Sequence, residues 1–222
     1  MPRSSCLSTA APKPPPPPPR RADIRAGKAR IKEWDYYLIT DGHIGLALTI
    51  ADNGYMGLDS ISFLHFDEGW EQTTSRMRAL PLGKTHLPES SAEGASEVAR
   101  GGYAMTFYHE DGLRKLSFHM DKFLGKEPIE GIVKLTDEPD ESMVIATPFD
   151  KPGHFYYNQK IVGFRASGYV NYNGKTYTFE PSDSFAVLDW GPTFLQESRG
   201  LSSSMAGWTV AIFEVCGITG ML

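Results

Sequence analysis

Two-residue Asn-Gly and Asp-Gly turns, set between stretches of alternating apolar and polar residues, constrain the fold of this 222-residue chain most strongly. Asn173-Gly174 fits a type I′ hairpin loop, because both residues tolerate a positive φ. A loop at this place pairs Val170 with Tyr177, and it puts the apolar side chains of both strands on one face. The pattern therefore predicts an antiparallel hairpin.

Two further dipeptides, Asp111-Gly112 and Asn53-Gly54, predict hairpins of the same kind. The first sets Phe107 opposite Leu116 and keeps the apolar side chains on one face. The second is less regular, since its register sets Leu48 opposite a carboxylate. Further strands are predicted at Ile129–Thr136, Ser142–Thr147 and Phe185–Trp190. Strands spaced this regularly, without a long helical period between them, indicate an all-β fold, an antiparallel barrel or sandwich.

The composition divides the chain into three parts. Residues 1–30 form a basic tail that we predict to be disordered, because its six consecutive prolines favour an extended polyproline II conformation without a core. Residues 31–191 form the antiparallel β-domain. Within it, the small polar segment from Glu89 to Gly102 is predicted to be a loop. Residues 192–222 show no strand alternation, and we predict a weakly packed segment there.

Charge and composition restrict the partners. Residues 1–32 carry a net charge of +7 and the remainder carries −12, for −5 in the whole chain. An acidic body offers little to a phosphate backbone, so we expect no nucleic-acid partner. No apolar stretch reaches the roughly 20 residues that a membrane span requires, so we expect no stable membrane insertion. The chain has two distant cysteines and no apolar signal segment, which favours a cytoplasmic location. It also has no nucleotide or metal motif, so we expect no cofactor.

Several long motifs occur in a fixed order along the chain, among them WDYYLIT, PLGKTHLP, DESMVIATPFDKPGHFYYNQK and RASGYVNYNGKTYTFEPSDSFAVLDWG. In these motifs the chain resembles an uncharacterised family, domain of unknown function 2804, over about Ile31 to Gly191. The stretch from Gly168 to Gly191 is also loosely similar to hydroxyneurosporene synthase and AttH-like proteins. That second resemblance implies a lipocalin-like barrel, of the calycin type, and a lipophilic small molecule as ligand.

The family resemblance also implies that the barrel is incomplete. Members of the family continue after the LDWG motif with a long second half, rich in Trp and Gly, which this chain lacks. We therefore expect a truncated gene product. Apolar surface or a strand edge that should face the second half would be exposed, so we also expect the protein to self-associate.

Two carboxylates are candidate catalytic residues. Asp59 shares a predicted apolar face with Ile61, and burial would penalise its charged form, as in a general acid. The alternatives are a bulge that turns Asp59 outward or a structural hydrogen bond. Asp189 ends an apolar strand, and the adjacent Trp190 could line a ligand site and stabilise a cation. The alternative is that Asp189 caps a turn and Trp190 packs in the core.

A run of polar and aromatic residues supplies the remaining candidates. In an extended strand, His154, Tyr156, Asn158 and Lys160 share one face. Beside Asp189 they would form a site for a carbonyl or hydroxyl group, with the imidazole as a titratable catalytic group. The alternative is a solvated sheet face that has no ligand.

Three functions remain open at this point. The first is binding or transforming a lipophilic small molecule in a lipocalin-like cavity, by acid chemistry of the hydratase, cyclase or isomerase kind. The second is a non-catalytic β-sandwich that binds carbohydrate or peptide through surface aromatic residues. The third is an inactive gene fragment. An enclosed pocket around Asp59 or Asp189 would favour the first function, and a flat aromatic strip would favour the second.

Overall fold

The computed structural model describes residues 20–194, and almost all of them lie in one antiparallel sheet. Two single 3₁₀ turns, Arg21–Asp23 and Lys28–Arg30, precede the strands. The strands are β1 (Ile31–Thr40), β2 (Ile44–Asp52), β3 (Met56–His65), β4 (Trp70–Ala79), β5 (Gly94–Arg100), β6 (Tyr103–Glu110), β7 (Leu113–Leu124), β8 (Glu127–Thr136), β9 (Met143–Pro148), β10 (Phe155–Tyr172), β11 (Lys175–Phe179) and β12 (Phe185–Phe194).

The strand order is β4-β3-β2-β1-β12-β10-β8-β7-β6-β5, with β9 and β11 both paired to the long strand β10. Every pairing is antiparallel, so the prediction of an all-β antiparallel domain is confirmed. β12, the last strand within residues 20–194, lies at the centre of the sheet between β1 and β10. No helix within residues 20–194 is long and apolar enough to cross a membrane.

The sheet curls into a half-barrel, and the curl brings strands near its two ends into contact with each other. The edge strand β4 contacts β7, and β2 contacts the other edge strand, β5. The hydroxyl of Thr74 donates to the carbonyl of Phe123, and one guanidinium nitrogen of Arg76 donates to the carbonyl of Lys122 at 3.4 Å. We call this junction of Trp70–Ala79 with Asp121–Phe123 the seam.

The inner face of the half-barrel is filled by one cluster of buried side chains that draws on nearly every strand. Its largest members, including Tyr37, Phe63, Phe107 and Phe164, are fully buried. The ring of Phe63 makes edge contacts with Trp70, Tyr172 and Tyr177, from strands on both sides of the curl. Each such side chain contributes roughly 1.5–3 kcal/mol by leaving water, so this cluster holds the curl together. The residues at the opposite surface form what we call the outer face.

Two of the three hairpins have the register that the turn dipeptides predict. Val170 pairs with Tyr177 around Asn173-Gly174, and Phe107 pairs with Leu116 around Asp111-Gly112. In both turns the first residue and the glycine have positive φ, as a type I′ loop requires. These two predictions are confirmed.

The predicted register of the hairpin around Asn53-Gly54 is wrong by two residues. Asp52 pairs with Gly57, so that the loop holds four residues instead of two. The carboxylate of Asp52 accepts a hydrogen bond from the backbone N–H of Gly54 at 2.9 Å, and this contact widens the turn. Leu48 therefore faces the apolar Ile61 rather than a carboxylate. Since the shift is an even number of residues, every side chain keeps its face.

Two other local features also differ from the sequence interpretation. The pairing of β10 with β12 shifts between Val162 and Phe164, where Gly163 adopts a φ of +109°, and this bulge turns Val162 outward. The segment predicted as a loop contains strand β5, in which Ser96 and Val98 are buried against the opposite end of the sheet. Short polar residues give little strand signal, and the ladder to β6 supplies what the local sequence does not.

The N-terminal segment from residue 20 to residue 30, which the sequence analysis assigned to the tail, lies against one end of the half-barrel. Arg21 makes a 2.6 Å ion pair with Glu33 and donates to the carbonyl of Gly83 at 3.1 Å, while Ile24 is buried. At the other end of the chain, β12 extends three residues beyond the predicted domain boundary, to Phe194. The proline run and residues 195–222 lie outside the described residues.

Candidate functional site

Asp189 lies in the middle of β12, on the outer face of the sheet. Its neighbours in sequence, Leu188 and Trp190, both belong to the inner cluster, so alternation directs the Asp189 side chain to the opposite face. The strand register sets Asp189 between Tyr36 of β1 and Lys160 of β10. Although Asp189 faces away from the core, it is only 3% exposed.

Three side chains donate hydrogen bonds to the Asp189 carboxylate. The indole N–H of Trp34 donates to Oδ1 at 2.8 Å, and the side-chain amide of Asn158 donates to the same oxygen at 2.5 Å. The ammonium of Lys160 contacts Oδ2 and forms an ion pair with it. Hydrogen bonds to an ionised group are stronger than those between neutral groups, so this carboxylate is held firmly in one orientation.

Tyr156 extends the same cluster along β10. Its ring lies 6.4 Å from that of Trp34, at an interplanar angle of 34°. Burial, with a smaller contribution from the charge of Asp189, raises the pKa of the Tyr156 phenol above its ordinary value. The phenol is therefore a proton-bearing group at neutral pH. We call Trp34, Tyr156, Asn158, Lys160 and Asp189 the outer cluster.

One polar atom of the outer cluster is not satisfied. The side-chain carbonyl oxygen of Asn158 is buried, and within residues 20–194 it accepts no hydrogen bond. An unpaired buried carbonyl costs free energy, so this position favours a ligand or a water that can donate a hydrogen bond to it.

Apolar side chains surround the outer cluster on the same face. The register places Met143 beside Lys160 and Ile145 beside Asn158, while Val162 and Phe185 lie further along the central strands. All four are between 39% and 46% exposed. Exposed apolar residues grouped around a few polar groups are typical of a binding surface.

Two of the residues predicted from sequence lie elsewhere. His154 precedes β10, and its Nε2 lies 3.0 Å from the carbonyl oxygen of Arg25 in the N-terminal segment. Trp190 is 2% exposed in the inner cluster, where its ring stands edge-on to that of Tyr157 at 6.2 Å. The structure thus places the indole of Trp190 and the carboxylate of Asp189 on opposite faces of the sheet.

Asp59 lies on the inner face, three strands away from Asp189 in the sheet order. It is fully buried, and Arg78 donates to both of its carboxylate oxygens, at 2.7 and 2.8 Å. The hydroxyl of Tyr103 donates to it as well, at 2.9 Å. Burial and this contact raise the pKa of Tyr103 to about 12. Asp59 is therefore part of a separate site.

A second carboxylate on the inner face, Asp35, has no such cation at hydrogen-bond distance. Ser96 of β5 donates to it at 2.8 Å, and burial raises the pKa of Asp35 to about 6. Within residues 20–194, no group of three or more His, Cys, Asp or Glu side chains is arranged to hold a metal ion.

Sequence reasoning missed Trp34. The motif WDYYLIT puts Trp34 and Tyr36 on one face by alternation, but nothing local shows which strand lies beside them. β1 pairs with β12 across roughly 150 residues, without a turn that would fix the register. The row of Tyr156, Asn158 and Lys160 could be found, because it depends only on the parity of one strand.

The fold and the outer cluster define a class of protein, an antiparallel β half-barrel with a buried, hydrogen-bonded carboxylate on its outer face. The chain belongs to the family described as Domain of unknown function (DUF2804), whose model matches residues 17–208. This match confirms the resemblance noted from the motifs and extends it at both ends. No curated protein matches the chain significantly.

Two solved structures are similar to the chain. One is a putative AttH from Nitrosomonas europaea, with 13% identity and a TM-score of 0.46, covering 80% of this chain and 55% of that one. The other is kievitone hydratase from Nectria haematococca, with 8% identity and a TM-score of 0.41, covering 75% and 48%. The chain thus spans about half the length of these proteins. The first agrees with the expected likeness to AttH-like proteins, and scores this low carry no conclusion about activity.

Proposed function

We propose that the protein binds a lipophilic small molecule on the outer face, at the outer cluster, and acts on it by acid–base chemistry of the hydratase or isomerase kind. The observation that carries the proposal is the buried Asp189–Lys160 ion pair, held by Trp34 and Asn158. A buried ion pair is often no better for stability than apolar residues of the same size. An ion pair on the outer face therefore adds little to the stability of the fold, whereas a reaction that transfers protons needs an acid and a base side by side.

The surroundings suit a lipophilic ligand. The exposed side chains of Met143, Ile145 and Val162 offer apolar contact area beside the ion pair. The carbonyl oxygen of Asn158, which accepts no hydrogen bond within residues 20–194, can accept one from a ligand hydroxyl, and the Tyr156 ring adds aromatic contact area. Apolar area supplies affinity and a few polar groups fix the orientation.

The chemistry we propose is the reversible addition of water to a carbon–carbon double bond. Asp189 takes a proton from water while the hydroxide forms a bond to one carbon. Lys160 gives its proton to the other carbon. The direct contact between the two side chains then returns the proton from Asp189 to Lys160, so both groups regain their starting states and only water is consumed.

The arrangement of the aromatic rings supports a second candidate function. Trp34 and Tyr156 lie near each other on the outer face, as in a non-catalytic site that stacks sugar rings. In that case the polar groups of the cluster would only bind hydroxyls. The two functions differ in whether the carboxylate of Asp189 is needed for turnover.

The test uses the full chain and an aryl enone, benzylideneacetone, whose conjugated absorbance falls when water adds. Asp189→Asn keeps the size of the side chain and removes the proton acceptor, so we expect a loss of turnover of about 10²-fold or more. Binding of the same enone, followed by tryptophan fluorescence, should change by less than about threefold.

Asp183→Asn, in the exposed turn before β12, is the matched control and should behave like the parent protein. Unchanged turnover in Asp189→Asn would remove the catalytic role. Saturable binding of cello-oligosaccharides, with no change of the enone by any variant, would establish the second function instead.

A further inference from the structure

A cleft of about 510 Å³ opens at the seam. It is lined by Arg76 of β4, by Arg100 and Tyr103 on either side of the β5–β6 turn, and by Asp121 and Lys122 of β7. The outer cluster lies on β1, β10 and β12, at the centre of the sheet, so the two sites share no strand.

Three basic residues, Arg76, Arg100 and Lys122, line this cleft. Within residues 20–194, neither Arg76, Arg100 nor Lys122 forms an ion pair. The one acid in the lining, Asp121, contacts the imidazole of His119 at 2.7 Å. The carboxylate paired opposite Arg76 in the register is Asp59, and Arg78 already holds both of its oxygens.

The backbone brings these charges together. β7 loses its regular pairing between Met120 and Leu124, and the irregularity places Lys122 beside β4. The turn between β5 and β6 consists of two glycines, both with positive φ, so this turn adds no side chain of its own to the cleft. Gly102 has a φ of +85°, a conformation that side-chain-bearing residues rarely adopt, so the turn favours glycine there.

We propose that the seam cleft binds the carboxylate or phosphate group of a small molecule. Three basic residues beside a single acid give the lining a net positive charge, although the whole chain carries −5, and such a site attracts an anion. Two guanidinium groups and one ammonium match the oxygens of a carboxylate or phosphate in charge and in hydrogen bonding. Met77, which is 72% exposed at the rim, adds apolar contact for the rest of such a molecule.

The test is an NMR titration of the full chain at low ionic strength, with succinate in one series and inorganic phosphate in the other. We expect saturable shifts of the Gly101 and Gly102 amides with one or both anions, and weaker binding as chloride is added. Arg100→Gln and Lys122→Gln change exposed side chains, so both variants should fold. Each should weaken binding about fivefold, and the double variant should weaken it about 20-fold or more.

Lys115→Gln is the matched control, because Lys115 is also an exposed lysine of β7 but lies outside the cleft. Its affinity should equal that of the parent protein. Equal weakening in Lys115→Gln would show general attraction of anions, and the proposal would be overturned. The absence of saturable shifts with both anions would overturn it too. A preference for succinate or for phosphate identifies which acid group the cleft takes.

Discussion

Asp59 and Asp189 are both buried and both paired with a cation, yet their partners lie in different places. The ion-pair partner of Asp59, Arg78, comes from the adjacent strand β4, whereas its other donor, Tyr103, comes from β6 near the opposite end of the sheet, so the Tyr103 hydrogen bond helps to close the curl. The partners of Asp189 come from β1 and β10, the two strands that already flank β12 through the backbone ladder. A buried carboxylate that joins distant strands serves the fold, whereas one that joins neighbours leaves room for another role.

The largest effect we expect comes from breaking the inner pair. Asp59→Asn leaves the Arg78 guanidinium without its counter-ion in a mostly buried position, which costs about 3–5 kcal/mol of the free energy of unfolding. Urea denaturation of the variant and the parent protein measures the difference. Asp183→Asn, on the exposed turn, should stay within about 0.5 kcal/mol of the parent. A loss below about 1 kcal/mol for Asp59→Asn would contradict a closing role.

Asp35 sharpens the comparison, because it is a buried inner carboxylate without a cation in hydrogen-bond contact. Its pKa is raised to about 6 by burial, above the ordinary value near 3.8, so the folded state favours the protonated form. Its contribution to stability is present at low pH and is lost as the pH rises from about 4 to about 6. Asp35→Asn abolishes this titration.

We therefore expect the stability of Asp35→Asn, relative to the parent protein, to increase by on the order of 2 kcal/mol between pH 4 and pH 8. Urea midpoints of both proteins across that range give the difference directly. A difference that is independent of pH would mean that Asp35 has the same pKa in the folded and unfolded states.

The smallest effect on stability should come from the outer pair. Lys160 retains 14% side-chain exposure and has a flexible stem, so in Asp189→Asn its ammonium can turn towards water. We expect Asp189→Asn to lower the free energy of unfolding by about 1 kcal/mol, well below the effect of Asp59→Asn. The same urea experiment compares the two. Equal losses for both variants would remove the distinction between a closing pair and a site pair.

The sequence determines the parts of this structure that depend on neighbouring residues. The hairpin around Asn173-Gly174 follows from the chemistry of its turn, and the shared face of Tyr156, Asn158 and Lys160 follows from strand parity. Where a side chain changes the turn, as the carboxylate of Asp52 does, the predicted register fails. The bulge at Gly163 also could not be predicted. It reverses which side chains of β10 point to each face of the sheet, and it turns Val162 outward.

One further hydrogen bond to each of the two carboxylates is not local. Asp59 meets Tyr103 across 44 residues, and Trp34 meets Asp189 across 155. Neither hydrogen bond lies within a hairpin whose turn could predict it, since each one depends on how the whole sheet curls. The same is true of Trp190, which stands beside a candidate carboxylate in sequence but packs into the core on the other face. Adjacency in sequence indicates opposite faces in a strand, and this rule places the two residues correctly once the strand is known.

The central position of β12 also dictates the order in which the molecule can assemble. During synthesis, β1 to β4 leave the ribosome first and β5 to β11 follow, and each group can pair through short hairpins. The two groups share no backbone ladder until the strand Phe185–Phe194 arrives and inserts between β1 and β10. Until then two strand edges in the middle of the final sheet stay open to pairing with other chains. Folding of the sheet is therefore a late event that waits for β12, and a ribosome that stalls before Phe185 leaves a chain prone to aggregate.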